Sequence, residues 1–322
     1  MSLISFDDLP PSGASPPSSQ SRRTPRRSRG IYPYTLPDAP REFHRTPPFE
    51  GPEGIPQDVE ELLTGSSAEE QLAWIATWTL MASRVCRMTF GDMVATGFLI
   101  GPDLVLTNDH NVNILKVDRD FANHVRFTFD YHEESPELPG AGVSYSLAAD
   151  WLIDSSPPSP ADEQPEPKTS EASRHELDYA VVRLDGAPAA DIVDGRQRGV
   201  IELPSEPYVF TQGEPLIIVQ HTFEEPLRTT LDRHGILSVN EGNTRVTYRT
   251  STRDGASGSP CFNRDWRLVA LHHGGSPGGW PPYSEGIPIH TIRKHLGSAA
   301  LAALGLFKSP NSVTAPVFAP PA

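Results

Sequence analysis

Three residues spread across this chain have the types needed for nucleophilic chemistry. The stretch "RDGASGSPCFN", residues 253–263, sets Ser257 between Gly255 and Gly258 and places Pro260 ahead of an apolar run. A surface turn would have this composition, and so would a loop that presents a nucleophile. A serine hydroxyl attacks only when a neighbouring base takes its proton, and the base is usually a histidine oriented by a buried carboxylate. "LVLTNDHNV" puts His110 just past an apolar run, with Thr107 and Asn108 opening a turn. "HELDYAVVRL" puts Asp178 directly before a β-branched run, where a carboxylate can lie desolvated at a sheet edge and face an imidazole. Ser251 and Ser259 compete with Ser257. Asp150 and Asp154 compete with Asp178, although neither precedes a run like "YAVVRL".

The elements that must hold these residues are short and β-rich. "RVCRMTF" and "VATGFLI" flank a Gly-Asp turn and read as a hairpin. "LVLTN", "VRFTFDYH", "YAVVRL", "PLIIVQH", "RVTYRT" and "LVALHH" follow without intervening amphipathic helices, a pattern of an all-β barrel or sandwich. Before them, "PQDVEELLTG" and "SAEEQLAWIATWTLMAS" read as helices, the second with Ser67 and Glu70 spaced as a capping box. Two tryptophans so close, Trp74 and Trp78, suggest a helix packed on a body. "IHTIRKHLGSAALAALG" reads as a closing helix.

Proline is 34 of 322 residues and the apolar share is 37%, so fewer residues should be ordered than the length allows. We read residues 1–55 as a disordered Pro/Ser/Arg-rich arm and 56–83 as a helical appendage or pro-segment. The main domain is 84–305, with a polar disordered insertion over 154–176, and a flexible tail covers 306–322. The net charge of −14 disfavours nucleic acid as a partner of the whole chain; the cluster Arg22, Arg23, Arg26, Arg27 and Arg29 is a weak hint the other way. No run of about 18 apolar residues suggests a membrane span. The first thirty residues lack the apolar core of a secretory signal. With only Cys86 and Cys261, no disulfide framework is expected, which suits a reducing, cytoplasmic location.

Taken together, "ATGFLIGPDLVLTNDHNV", "LDYAVVRL" and "GASGSPCFN…RLVALHHGG" resemble the three signature blocks of chymotrypsin-like serine proteases, most of all the bacterial glutamyl endopeptidase branch. The resemblance spans roughly residues 84–300. It implies two six-stranded antiparallel β-barrels, with an N-terminal helical appendage and a C-terminal helix added here. It implies a His110, Asp178, Ser257 triad in the cleft between the barrels and an oxyanion hole from the Gly255 and Ser257 N–H groups. The expected activity is hydrolysis of protein or peptide substrates through an acyl-enzyme, with neither metal nor organic cofactor.

In that branch a histidine at the place of His272 and a hydroxyl at the place of Thr252 line the primary pocket, which implies a preference for acidic side chains. His272 and His273 are adjacent in a strand and should point to opposite faces, so they should not share a metal ion. One departure stands out: Ala256 occupies the position where many relatives carry the aspartate that pairs with a new N-terminus. A catalytically silent domain of the same fold that binds peptides is the alternative reading.

Overall fold

The computed structural model describes residues 68–117, 119–131, 142–164, 168, 170–222, 225–275 and 283–306. Every described residue falls within the unit Glu61–Ala322. The arm, its arginine cluster, the first expected helix, the Ser67 cap and the tail from 307 lie outside the described residues.

Strands β1 (Val85–Phe90), β2 (Met93–Leu99), β3 (Leu104–Thr107), β4 (Arg126–Phe129), β5 (Val143–Tyr145), β6 (Leu147–Ser156) and β7 (Tyr179–Leu184) make one antiparallel sheet in the order β5-β4-β1-β2-β3-β7-β6. A two-strand ribbon, β8 (Ile192–Val193) with β9 (Arg196–Gln197), lies in the connection to the second sheet. That sheet holds β10 (Leu216–Thr222), β11 (Glu225–Asp232), β12 (Ile236–Val239), β13 (Val246–Tyr248), β14 (Pro260–Phe262), β15 (Leu268–Gly275) and β16 (Ser284–Pro288), ordered β11-β10-β14-β15-β16-β13-β12.

Each sheet has seven strands where six were expected. The extra strand comes from closure. β5 and β6 are separated by Ser146 alone yet sit at opposite edges of their sheet, and β11 and β12 do the same across residues 233–235. Neighbours in sequence can reach opposite edges only if the sheet curls back on itself. The result is two curled antiparallel half-barrels, the expected all-β architecture.

The apolar runs follow from burial on both strand faces. Along β7, Tyr179 and Val181 enter a core shared by both sheets with Ile217, Val219, Phe262 and Leu271. Ala180, Val182 and Leu184 point the other way, into the first half-barrel with Val105, Phe127 and Phe129. On β10, Leu216 and Ile218 fill the second half-barrel with Ile236, Tyr248 and Cys261. A period of two with both faces apolar gives a continuous hydrophobic run.

The helix Ala68–Ser83 packs as its tryptophans suggested. Trp74 stacks on Trp266 at 4.9 Å and donates its indole N–H to Arg264 O at 3.0 Å, and Trp78 Nε1 donates to Thr229 Oγ1 at 2.8 Å. The closing helix differs from expectation: it is two helices, Ile289–His295 and Ser298–Ala303. Gly297 between them is extended, and its N–H goes to Asp154 Oδ2 at 2.8 Å instead of continuing the helix.

The insertion 154–176 also departs from expectation, since most of it is described and structured. Ser159 caps a 3₁₀ turn over Pro160–Glu163 in a full capping box with Asp162. Asp162 is gripped by Arg245 through Nε at 2.9 Å and Nη2 at 2.6 Å, so a polar segment is ordered by an ion pair to a residue just before a distant strand, β13. No helix among the described residues is long and apolar enough to cross a membrane.

Candidate active site

The site is assembled from polar groups at strand ends. His110 is the third residue after β3 and is half-buried, its side chain 33% exposed. Asp178 sits directly before β7, fully buried, at φ +42°, a left-handed conformation that aspartate tolerates better than most side chains. That kink turns the carboxylate back towards His110. Asp178 Oδ2 lies 2.6 Å from His110 Nδ1, and Oδ1 accepts the His110 backbone N–H at 2.9 Å. Asn108 locks the bend by donating Nδ2 to Asp178 O at 2.9 Å. His110 and Asp178, 68 residues apart in sequence, are thus in direct contact.

Ser257 stands on a turn between β13 and β14, with Gly255 at φ +96° and Gly258 at φ +90°. First-barrel residues hold this turn. Thr96 N–H donates to Ser257 O at 2.9 Å and Thr96 Oγ1 to Gly255 O at 2.9 Å, while Asn111 Nδ2 reaches Ser257 O at 3.2 Å. The Ser257 hydroxyl donates to the carbonyl of His273 at 3.3 Å. Ala256 N–H is taken by Arg253 O and Gly258 N–H by His272 O, each at 3.0 Å. Among the described residues, the Gly255 and Ser257 N–H groups have no such backbone acceptor, as an oxyanion site requires.

His273 is the neighbour of this pair that sequence reasoning missed. Its Nδ1 lies 2.6 Å from the same Asp178 Oδ2, and its Nε2 lies 3.4 Å from Asp162 Oδ2. The period-two rule does place His272 and His273 on opposite faces, but it cannot say what either face meets. Burial alone would raise the Asp178 carboxyl; hydrogen bonds and charge from His110 and His273 outweigh it and bring it down to about 2. Burial would lower His273, yet Asp162 and Asp178 raise it to about 9.

His272 is buried with Tyr248, whose hydroxyl lies 2.6 Å from His272 Nδ1 and donates to Glu285 O at 3.0 Å. Burial, reinforced by the charges of His273 and His110, drives its imidazole down to about 3, so it is neutral near pH 7. Thr252 Oγ1 pairs with Ser284 Oγ at 3.0 Å. Both residues therefore contact the second sheet near β16: Thr252 through Ser284, His272 through its register partner Gly286.

Among the described residues, two sets of side chains bring ligand-type atoms within 4.8 Å of one another: His110 with Asp178 and His273, and Asp162 with His273 and Glu285. Asp178 and Asp162 already hold imidazole or guanidinium protons and Glu285 holds the Lys168 ammonium, all of which a cation would have to displace. Cys86 and Cys261 are free and buried, as expected, and burial pushes the Cys261 thiol up to about 12.

The uncharacterized protein y4fB of Sinorhizobium fredii (strain NBRC 101917 / NGR234) is 26% identical over 241 residues, covering 70% of this chain and 32% of that protein. The chain thus spans about a third of the length of that relative. Among solved structures, an inactive form of the Rv3671c protease of M. tuberculosis H37Rv aligns over 74% of this chain and 96% of its own, at 14% identity and a TM-score of 0.45. A Glu endopeptidase in complex with MPD aligns over 66% of this chain and 90% of its own, at 17% identity and a TM-score of 0.44. The family model for the trypsin-like peptidase domain matches residues 95–271, more than half of the 322, and the chain belongs to that family.

Proposed function

We propose that this chain is a serine endopeptidase that works through His110, Asp178 and Ser257. The observation that carries the reading is the buried Asp178 carboxylate bonded to both the ring and the backbone of His110, beside the serine turn. Asp178 holds the Nδ1–H tautomer, so Nε2 is left with a lone pair to accept a proton. The Ser257 hydroxyl, which donates to the His273 carbonyl, turns instead to that nitrogen, and the oxygen attacks the substrate carbonyl. The Gly255 and Ser257 N–H groups receive the developing oxyanion. His110 then returns the proton to the leaving amine, and water repeats the sequence on the acyl-enzyme. The free, buried cysteines support a reducing, cytoplasmic location in the same reading.

The test is labelling by a fluorophosphonate probe. We expect wild-type protein to be labelled and the Ser257→Ala variant not to be. Equal labelling of both would remove Ser257 from the reaction. No labelling of either would leave a silent, peptide-binding domain.

Specificity is proposed to rest on His272 and Thr252, which favour an acidic side chain before the scissile bond. Because His272 is neutral, it recognises that side chain by hydrogen bonding and not by charge: the Tyr248 hydroxyl turns from Glu285 O to donate to Nδ1, which leaves the ring proton on Nε2 for the substrate. Peptides with Glu and with its neutral isostere Gln at that position should then differ in kcat/KM by only about tenfold, with Arg peptides far poorer than either. A paired assay of the three peptides decides it, and an Arg preference would overturn the assignment of the pocket.

A further inference from the structure

We propose that His273 is a positioning residue for the peptidase reaction: held as an imidazolium between Asp178 and Asp162, it fixes the carboxylate that orients His110. The inference rests on the triad reading above and deepens it.

The geometry requires a double donor. Asp178 Oδ2 accepts from two imidazoles at 2.6 Å each, and Oδ1 takes the His110 backbone N–H, so the carboxylate is held from three directions. His273 faces Asp178 through Nδ1 and Asp162 through Nε2. A ring with a carboxylate at each nitrogen satisfies both only when both nitrogens carry protons. Asp162 is anchored in turn by Arg245.

The groups therefore run His110, Asp178, His273, Asp162, Arg245. The last four alternate in sign and sum to zero, all of them buried or nearly so. An isolated buried carboxylate would carry a large desolvation penalty, and pairing along the row relieves it. A proton arriving on His110 from Ser257 is then the one net charge that the reaction creates there. His273 also meets the nucleophile, since its carbonyl accepts the Ser257 hydroxyl.

The other charged or titratable groups around His273 are few. Glu285 on β16 is paired with Lys168 at 2.8 Å, and neutral His272 sits on the opposite face of β15. With its imidazole raised from 6.5 to about 9, the stabilising contribution of His273 is complete below pH 6.5 and is lost as pH rises through about 9.

The experiment measures kcat and KM against pH for the full chain and for two variants. His273→Asn keeps an amide N–H for Asp178, and His273→Leu removes the donor. In the Leu variant kcat should fall at least about tenfold, short of the ~10⁴ that losing the triad carboxylate costs, with KM nearly unchanged. The Asn variant should recover most of that loss. Wild-type activity should decline above about pH 9, and the Asn variant should lack that alkaline limb.

A Leu variant with unchanged kcat and an unchanged alkaline limb would overturn the proposal. Proton NMR of the Ser257→Ala protein gives a reading that needs no turnover and no altered His273. Three carboxylate-bonded imidazole N–H resonances are expected at pH 7, one from His110 and two from His273, with one of the His273 pair disappearing near pH 9. Only one His273 resonance at pH 7 would overturn the proposal even if the peptidase reading stands. Three resonances in a protein that hydrolyses nothing would leave the relay in place and overturn only the peptidase reading.

Discussion

Replacing Asp178 by Asn should lower kcat by about 10⁴-fold while KM changes little. In this site the amide has no harmless orientation. With its oxygen at the Oδ2 position, its NH₂ confronts the His110 backbone N–H that Oδ1 now accepts at 2.9 Å. With its NH₂ at Oδ2, it confronts two ring nitrogens at 2.6 Å each, and both must lose their protons to accept. His110 then carries its hydrogen on Nε2, where a base is needed, and His273 loses the charge that matches Asp162. The damage should extend to stability. The Asp178 carboxyl is brought from 3.8 to about 2 in the folded chain, so its ionised form contributes stability that is present above pH 3.8 and lost as pH falls towards 2. The Asn variant forgoes that contribution at neutral pH and should show a lower urea midpoint with less acid sensitivity. Steady-state kinetics and urea titrations at pH 7 and pH 4 measure both effects. A variant within tenfold of wild-type kcat would show that Asp178 does not set the tautomer of His110.

What could be read from the sequence was whatever local pattern announces. Ser257, His110 and Asp178 each sit where a turn meets a β-rich run, and the glycines around Ser257 mark a backbone that must leave the usual φ range. The hairpin at Gly91, the opposed faces of His272 and His273, and the packing of Trp74 followed from the same short-range rules. What escaped was carried by contacts across long sequence separations. Thr96 holds the serine turn from 159 residues away, and His273 finds Asp178 from 95. The segment 154–176 has a composition suited to solvent, yet Arg245 at a distance of 83 residues orders it by an ion pair that no window of sequence contains. The strand count shifted for a geometric reason, because curling converts one bent strand into two edges.

Replacing Gly258 by Ala should abolish labelling at Ser257 and destabilise the fold by more than about 4 kcal/mol, a range reserved for backbone or core disruption. Two costs combine. At φ +90° a side chain is strained wherever it lies, a cost of order 1–3 kcal/mol. The added Cβ would also stand 2.0 Å from Thr96 O and 2.5 Å from Thr107 Oγ1, contacts that no rotamer can relieve because Cβ is fixed by the backbone. Those two atoms are hydrogen-bonded to each other at 2.8 Å and buried, so they cannot give way without opening the first sheet. The turn must move instead. It would carry Ser257 O away from Thr96 N–H and Asn111, and Gly258 N–H away from His272 O. Gly91→Ala is the control, because Gly91 has φ +54° but nothing lies within 4 Å of where its added methyl would stand. It should lose only about 1 kcal/mol and keep its labelling. Thermal unfolding with parallel fluorophosphonate labelling separates the two costs. If Gly258→Ala unfolded like Gly91→Ala and kept full labelling, the close approach of the two sheets at Thr96 would not be what positions the serine turn.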